Sequence, residues 1–580
     1  MTVKNLRSIL PALLLISLLA SCHGGREDTP GSDPQPTTRR FGHYEGLVCD
    51  TAVVVSAHPR ASEIGLEILR SGGNAADAAV AVQFALAVCF SYAGNIGGGG
   101  VLVIRDANGK AEALDFREKA PLRARRDMFL DGEGNVVPDL SVKGHLSAGI
   151  PGSVAGMVAL HEKYGRLPWE QLVQPSVDLA REGYLATAHE ASLLNEQRAD
   201  FLHYNRRGQS YLVKDGDWQA GDTIRQEDLA HSLERIRDHG RAGFYQGETA
   251  RLLLEEMGRG GIISRADLDG YEAKWRVPLT GMFRGHLVIT MPPPSSGGIL
   301  LLQLLTIAGD FPIDQWGPDA PQTIHAIVEA ERRVFADRAE FMGDPDFVTV
   351  PMQGLLDRGY LRARMADFDP RNATESACIA HGEPKRESTE TTHFSIVDGE
   401  GNAISVTTTL NGPYGSKVWV KGAGFLLNNE MDDFSAKPGI PNLFGLVGNT
   451  ANAIAPGKRM LSSMAPTIVA RDGKVFMVLG TPGGSTIPTS IFQVILDVVA
   501  HGMSLQEAVD FKRYHHQWLP DEIAVEEDAL PAATWTVLRD LGHRVCTRAK
   551  IGRVDAVLRR PDGRWEGAAD HRRDDAARGF

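Results

Sequence analysis

Cysteine is scarce, with five in 580 residues. Cys22, Cys49, Cys89, Cys378 and Cys546 form no C-x-x-C pair, and their spacings fit neither a disulfide framework nor a zinc site. Cys89 lies in an Ala/Val-rich run and reads as a buried thiol, and no pairing is assigned. Excess positive charge is also lacking. The formal charge is −12 and Lys and Arg are unclustered, which disfavours a nucleic-acid partner. No H-E-x-x-H or other metal pattern occurs, so neither metal nor cofactor is expected. The glycine-rich run Gly94-Asn95-Ile96-Gly97-Gly98-Gly99-Gly100 lacks the Lys-Ser/Thr ending of a phosphate-binding loop. Close backbone packing is its expected use.

What is present is ordinary globular composition, 43% hydrophobic and 23% charged. The length allows several domain-sized units or one large α/β body. Lys4 and Arg7 precede an apolar run over residues 9–20, too short to span a bilayer and of the right length for a secretory signal. The following Leu19-Ala20-Ser21-Cys22 resembles the bacterial lipoprotein signal. Residues 1–21 are therefore expected to be removed and Cys22 acylated, giving an exported, periplasmic, membrane-anchored chain. Its membrane contact would run only through the N-terminal lipid. A plain signal peptide with a chance cysteine is the alternative. Residues 22–42 are polar and read as a flexible tether.

Apolar spacing predicts a helix over 61–70, stopped by Ser71-Gly72-Gly73, and a buried helix over 75–88 capped by Asn74. Strands are expected over 101–105 and 111–116, and helices over 153–164 and 323–339. Residues 366–390 are polar, contain Pro370 and Pro384, and read as an exposed linker. Beyond them strands dominate: 467–470 and 475–479 flank an Asp472-Gly473 hairpin turn, and a helix over 487–499 follows Gly483-Gly484. The mixed order predicts a layered α/β body with mostly antiparallel sheets.

The chemistry centres on Thr391. A hairpin turning symmetrically about Glu400 pairs Val397 with Ala403, Phe394 with Val406, and Thr391 with Thr409. Directly opposed side chains share a face about 4.5–5.5 Å apart, so Thr409 can reach the Thr391 hydroxyl. A threonine hydroxyl needs an adjacent base, and a freed α-amino group, titrating near about 7.7–8.0, supplies one. Cleavage between Glu390 and Thr391, by attack of the Thr391 hydroxyl on the Glu390 carbonyl, is therefore expected as an activation step. Gly483 and Gly484, between a strand and a helix N-terminus, suit an oxyanion hole, or simply a turn needing positive φ. His393, two residues along the strand, is expected to be structural.

These residues resemble the γ-glutamyltranspeptidase family over about 45–580, in order. The likeness rests on Asp115-Phe116-Arg117-Glu118, the glycine-rich run, Thr391-Thr392-His393-Phe394-Ser395, Leu427 to Ser435, Leu461-Ser462-Ser463-Met464, Pro482-Gly483-Gly484-Ser485 and Gly567-Ala568-Ala569-Asp570. The resemblance implies the four-layer αββα sandwich of N-terminal-nucleophile hydrolases. It also implies a heterodimer of a large subunit, 43–390, and a small catalytic subunit, 391–580. The implied substrate is a γ-glutamyl amide such as glutathione, with water or an amino acid or dipeptide as acceptor. Its α-carboxylate would meet Arg117, Ser462 and Ser463, and its α-amino group would meet Glu430, Asp433 and Asn411. Thr409 would tune the nucleophile, and Gly483 and Gly484 would hold the oxyanion. Residues 438–458 look like a lid, with Phe444 where some relatives carry tyrosine. An amidase for another acyl group and a non-catalytic binding lipoprotein are the competing expectations.

Overall fold

The computed structural model describes residues 45–206, 208, 210–380, 392–437, 443 and 450–580. β-branched runs separated by turns pair into two antiparallel sheets of seven strands. The first sheet runs Leu47–Cys49, Trp565–Ala568, Asp555–Arg559, Lys474–Gly480, Thr467–Arg471, His286–Thr290 and Leu279–Phe283. The second runs Ala576–Gly579, Val53–Ser56, Thr392–Val397, Ala403–Thr409, Gly99–Arg105, Ala111–Phe116 and Lys274–Arg276.

Alternation along the strands builds the layers, because successive side chains point to opposite faces. Val53, Val55, Val101, Val103, Val397 and Ala403 share a core with Val478 and Val557 of the first sheet. Val54, Leu102, Ile104, Phe394, Ile396 and Ile404 face the other way, into a core with helices Pro59–Arg70 and Ala75–Cys89. Helices Gly297–Ala308 and Thr486–Val499 pack with the first sheet. The result is the expected αββα sandwich. Burial on both faces explains why these strands read as nearly continuous apolar runs.

Local sequence signals hold closely. Asn74 accepts from the Asp77 backbone N–H, and the Asp77 carboxylate accepts from Asn74, both at 3.0 Å, so the buried helix starts with a reciprocal cap. Asp472 and Gly473 both have positive φ, 51° and 74°, as a two-residue hairpin turn requires. The register predicted for the central hairpin is present: Val397 opposes Ala403, Phe394 opposes Val406, and Thr392 opposes Thr408. Thr391, Glu390 and Cys22 lie outside the described residues, as do Phe444 and most of the expected lid. Cys49, Cys89, Cys378 and Cys546 are free, with Cys89 buried as expected. No helix among the described residues is long and apolar enough to cross a membrane.

The front of the stretch read as an exposed linker is mostly exposed, as expected, and is anchored to the body at a few points. Arg332 Nε donates to Ser376 Oγ at 3.0 Å, the Ser376 N–H donates to Asp521 at 2.7 Å, and Thr374 N–H donates to Glu329 at 3.0 Å. These anchors are polar, so hydrophobic periodicity could not reveal them.

The glycine-rich run packs as expected. A Cβ on Gly98 would lie 2.0 Å from the Thr409 carbonyl oxygen, and one on Gly97 2.1 Å from that of Leu426. Gly98→Ala should therefore cost about 1–3 kcal/mol or more through overpacking. Thermal unfolding measures this, and an unchanged midpoint would show that the strands tolerate separation.

Candidate active site

The site forms where three strand ends meet. The Thr392–Val397 strand begins, and the Ala403–Thr409 strand finishes, beside the start of Gly99–Arg105, where Thr409 opposes Gly99. Asn95 fastens this edge. Its Nδ2 donates to the Thr409 carbonyl at 2.8 Å and to Thr408 Oγ1 at 3.2 Å, while its Oδ1 accepts from Gly98 N–H and Ser153 Oγ. Thr409 Oγ1 accepts from the Asn411 N–H at 2.7 Å, and its hydroxyl lies beside the Glu430 carboxyl group. Asn411 has φ of 71°, a conformation that Asn tolerates, and its Nδ2 donates to the Asn429 carbonyl at 3.0 Å.

Arg117 lies at the end of this chain of contacts. It follows the Ala111–Phe116 strand, is 1% exposed, and faces three acids. Its Nη1 is 2.6 Å from Glu430 and 3.6 Å from Glu118, and its Nη2 pairs with Asp433. The Leu461 carbonyl accepts from Nη2 at 3.1 Å, which brings the guanidinium to the residue before Ser462. Burial pushes the Glu118 carboxyl up to about 8, with Arg117 opposing and Asp433 adding to the rise. Burial also holds Glu430 well above the carboxylate range, again against the pull of Arg117. Burial thus disfavours the ionised form of both acids, and the Arg117 guanidinium favours it. An arriving ammonium group would favour their ionised forms, and a carboxylate would compete for the guanidinium fork. The cluster can thus exchange its internal pairing for a bound zwitterion.

Ser462 and Ser463 flank this charge cluster. Ser462 Oγ accepts from the Met464 N–H at 3.1 Å, and Ser463 Oγ accepts from Arg338 Nη2 at 3.1 Å. Gly483 and Gly484 connect the Lys474–Gly480 strand to the Thr486–Val499 helix with φ of 133° and 60°. Positive φ is therefore required there, and the Gly483 carbonyl accepts from Thr486 Oγ1 at 2.8 Å, which points the turn. His393 bonds Thr407 Oγ1 and Ser395 Oγ at 3.0 and 2.9 Å, and burial lowers its pKa to about 3. Both ring nitrogens are engaged, which fits a structural imidazole.

Sequence reasoning gave no role to several residues here. Glu118 was visible only as the neighbour of Arg117. Asn428 accepts from the Gly149 and Glu430 N–H groups at 2.8 and 3.0 Å, fixing the short helical turn Glu430–Asp433. Asn452 joins two parts of the site, donating to the Asp433 carbonyl at 2.6 Å and accepting from the Leu461 N–H at 3.1 Å. Elsewhere His325, Glu329 and His543 cluster with potential ligand atoms within 4.8 Å. The two imidazoles bond each other at 2.7 Å, and Glu329 is engaged by Arg332, by Arg333 and by the Thr374 N–H. The cluster is internally paired.

The sandwich and the strand-end cluster are those of an N-terminal-nucleophile hydrolase. The pattern described as Gamma-glutamyltranspeptidase matches residues 61–580. The glutathione hydrolase proenzyme of Escherichia coli (strain K12) is 44% identical over 532 residues, covering 91% of this chain and 92% of that protein. The crystal structure of Helicobacter pylori γ-glutamyltranspeptidase is 46% identical with a TM-score of 0.56, covering 59% of this chain and 97% of that one. The cephalosporin acylase from Bacillus halodurans, at 24% identity and a TM-score of 0.81, covers 94% and 99% respectively and shares the fold. The chain belongs to the γ-glutamyltranspeptidase family.

The raised Glu118 pKa has a testable sign. Between about 4.5 (the ordinary value) and about 8 the folded chain holds a proton that the unfolded chain releases, so this group's stabilisation is lost as pH rises through that window. Glu118→Gln removes the titration. Its melting temperature should gain on that of the parent as pH rises from about 5 to 8, and a pH-independent difference would show that Glu118 does not titrate there.

Proposed function

We propose that the chain is a self-processing γ-glutamyltransferase and glutathione hydrolase. Its substrate would be a γ-glutamyl amide such as glutathione, with water or an amino acid or dipeptide as acceptor. The observation that carries this reading is the buried cluster of Arg117 with Glu430 and Asp433, with Glu430 beside Thr409. An arginine fork and paired acids suit the carboxylate and ammonium of a free amino-acid end. That end would hold the γ-carbonyl near residue 391.

In the proposed reaction the Thr391 hydroxyl first attacks the Glu390 carbonyl, the C–N bond breaks to give an ester and a free α-amino group, and water then hydrolyses the ester to release the Glu390 carboxylate and restore the hydroxyl. That amine then accepts the hydroxyl proton as Thr391 attacks the γ-carbonyl. The Gly483 and Gly484 N–H groups hold the oxyanion. The leaving amine takes the proton, a γ-glutamyl ester remains on Thr391, and water or an acceptor amine releases it. Arg117, Ser462 and Ser463 bind the α-carboxylate. Glu430, Asp433 and Asn411 bind the α-amino group, and Thr409 orients the nucleophile. The working form is a heterodimer of 43–390 and 391–580. Residues 1–21 direct export, and Cys22 carries the lipid that holds the enzyme on the periplasmic side of a membrane.

Purified protein should run as two bands on a denaturing gel, the smaller with Thr391 as its N-terminal residue, and should turn over a γ-glutamyl anilide. Thr391→Ala should give one band and no turnover, and a variant still cut at this bond would refute self-cleavage. Arg117→Lys should be cleaved, yet its KM should rise roughly tenfold to a hundredfold, as loss of a charged hydrogen bond of about 1.5–3 kcal/mol implies. An unchanged KM would remove Arg117 from the binding pocket.

A further inference from the structure

Arg553 precedes the Asp555–Arg559 strand, is 3% exposed, and has no part in the chemistry above. Its backbone N–H donates to Thr481 Oγ1 at 2.6 Å, and that hydroxyl donates to the Pro482 carbonyl at 2.7 Å. The peptide of residue 553 therefore holds the entrance to the Pro482-Gly483-Gly484 turn. The adjoining glycine packs on the same turn: a Cβ on Gly483 would lie 3.2 Å from Gly552 Cα.

The Arg553 side chain runs toward the other sheet. Nη2 donates to Thr392 Oγ1 at 3.2 Å, and Thr392 is fully buried. Nε lies 3.0 Å from Asp575, whose carboxyl group neighbours that of Asp555. The guanidinium sits over the Phe90 ring, 4.9 Å from its centroid. Asp555 in turn opposes Gly480 at the end of the strand that leads into the glycine turn. One residue thus touches both the start of the strand that follows position 391 and the lead-in to the turn that would hold the oxyanion.

We propose that Arg553 is a positioning residue that ties Thr392 to the Thr481–Gly484 turn and so sets the distance from the Thr391 hydroxyl to the oxyanion donors. The inference rests on the function proposed above. A misplacement of about 1 Å can cost roughly a hundredfold in rate, so a strut between two sheets has leverage on turnover without touching substrate.

Arg553→Met, Thr392→Val and the double variant test this on γ-glutamyl anilide, with kcat expressed per processed molecule. Each single variant should lower kcat about tenfold or more with KM within about twofold of the parent, and the double should be no slower than Arg553→Met. Arg553→Lys should recover part of the loss. An unchanged kcat, an effect confined to KM, or losses that multiply in the double variant would each overturn the assignment. Should Arg553→Met fail to fold or be processed, Thr392→Val decides alone, since it removes only the acceptor. A parent with no turnover would refute the proposed function itself, whereas an active parent with unaffected variants would refute only the strut.

Discussion

Everything at the site depends on the antiparallel pairing of Thr392–Val397 with Ala403–Thr409. Because both strands are buried on both faces, a slip by one residue would move every side chain to the wrong layer. The register is therefore strongly specified. It fixes Thr408 opposite Thr392, brings Thr409 to the strand end, and sets where the Glu430–Arg117 chain of contacts must begin. The glycine-rich run serves the same constraint from the next strand over. Only residues without side chains let Gly98 approach the Thr409 carbonyl so closely, and Asn95 then pins that carbonyl.

The electrostatics follow from burial. One guanidinium faces three carboxyl groups in a dry interior, where an unmatched charge is costly. Burial raises the pKa values of Glu118 and Glu430, and the Arg117 guanidinium opposes that rise.

Much of this was legible in the sequence because it rests on local rules. The Asn74 cap, the helix and strand spans, the Asp472-Gly473 turn and the central hairpin register all follow from periodicity and turn chemistry, and the structure reproduces each. The grouping of Arg117 with Glu430 and Asp433 was legible only through family motifs, since these residues lie some 310 positions apart and no periodicity links them. Arg553 escaped notice for the same reason, since Thr392 lies 161 positions away, and Asn452 because it is a lone polar residue in a segment with no periodic pattern. The anchors around Ser376 were not legible because polar contacts leave no hydrophobic signature.

Both sheets combine strands from either side of position 391. Thr392–Val397 lies between Val53–Ser56 and Ala403–Thr409, and His286–Thr290 pairs with Thr467–Arg471. A backbone break before Thr392 would leave two polypeptides woven through one another, neither owning a complete sheet. They could not part without dismantling both layers, so the nicked molecule should stay whole at high dilution. Its unfolding would be another matter. The intact chain returns by a unimolecular route, but the severed pieces must first meet in solution, so their recovery should depend on concentration. Such a protein is built to fold once, before it is cut.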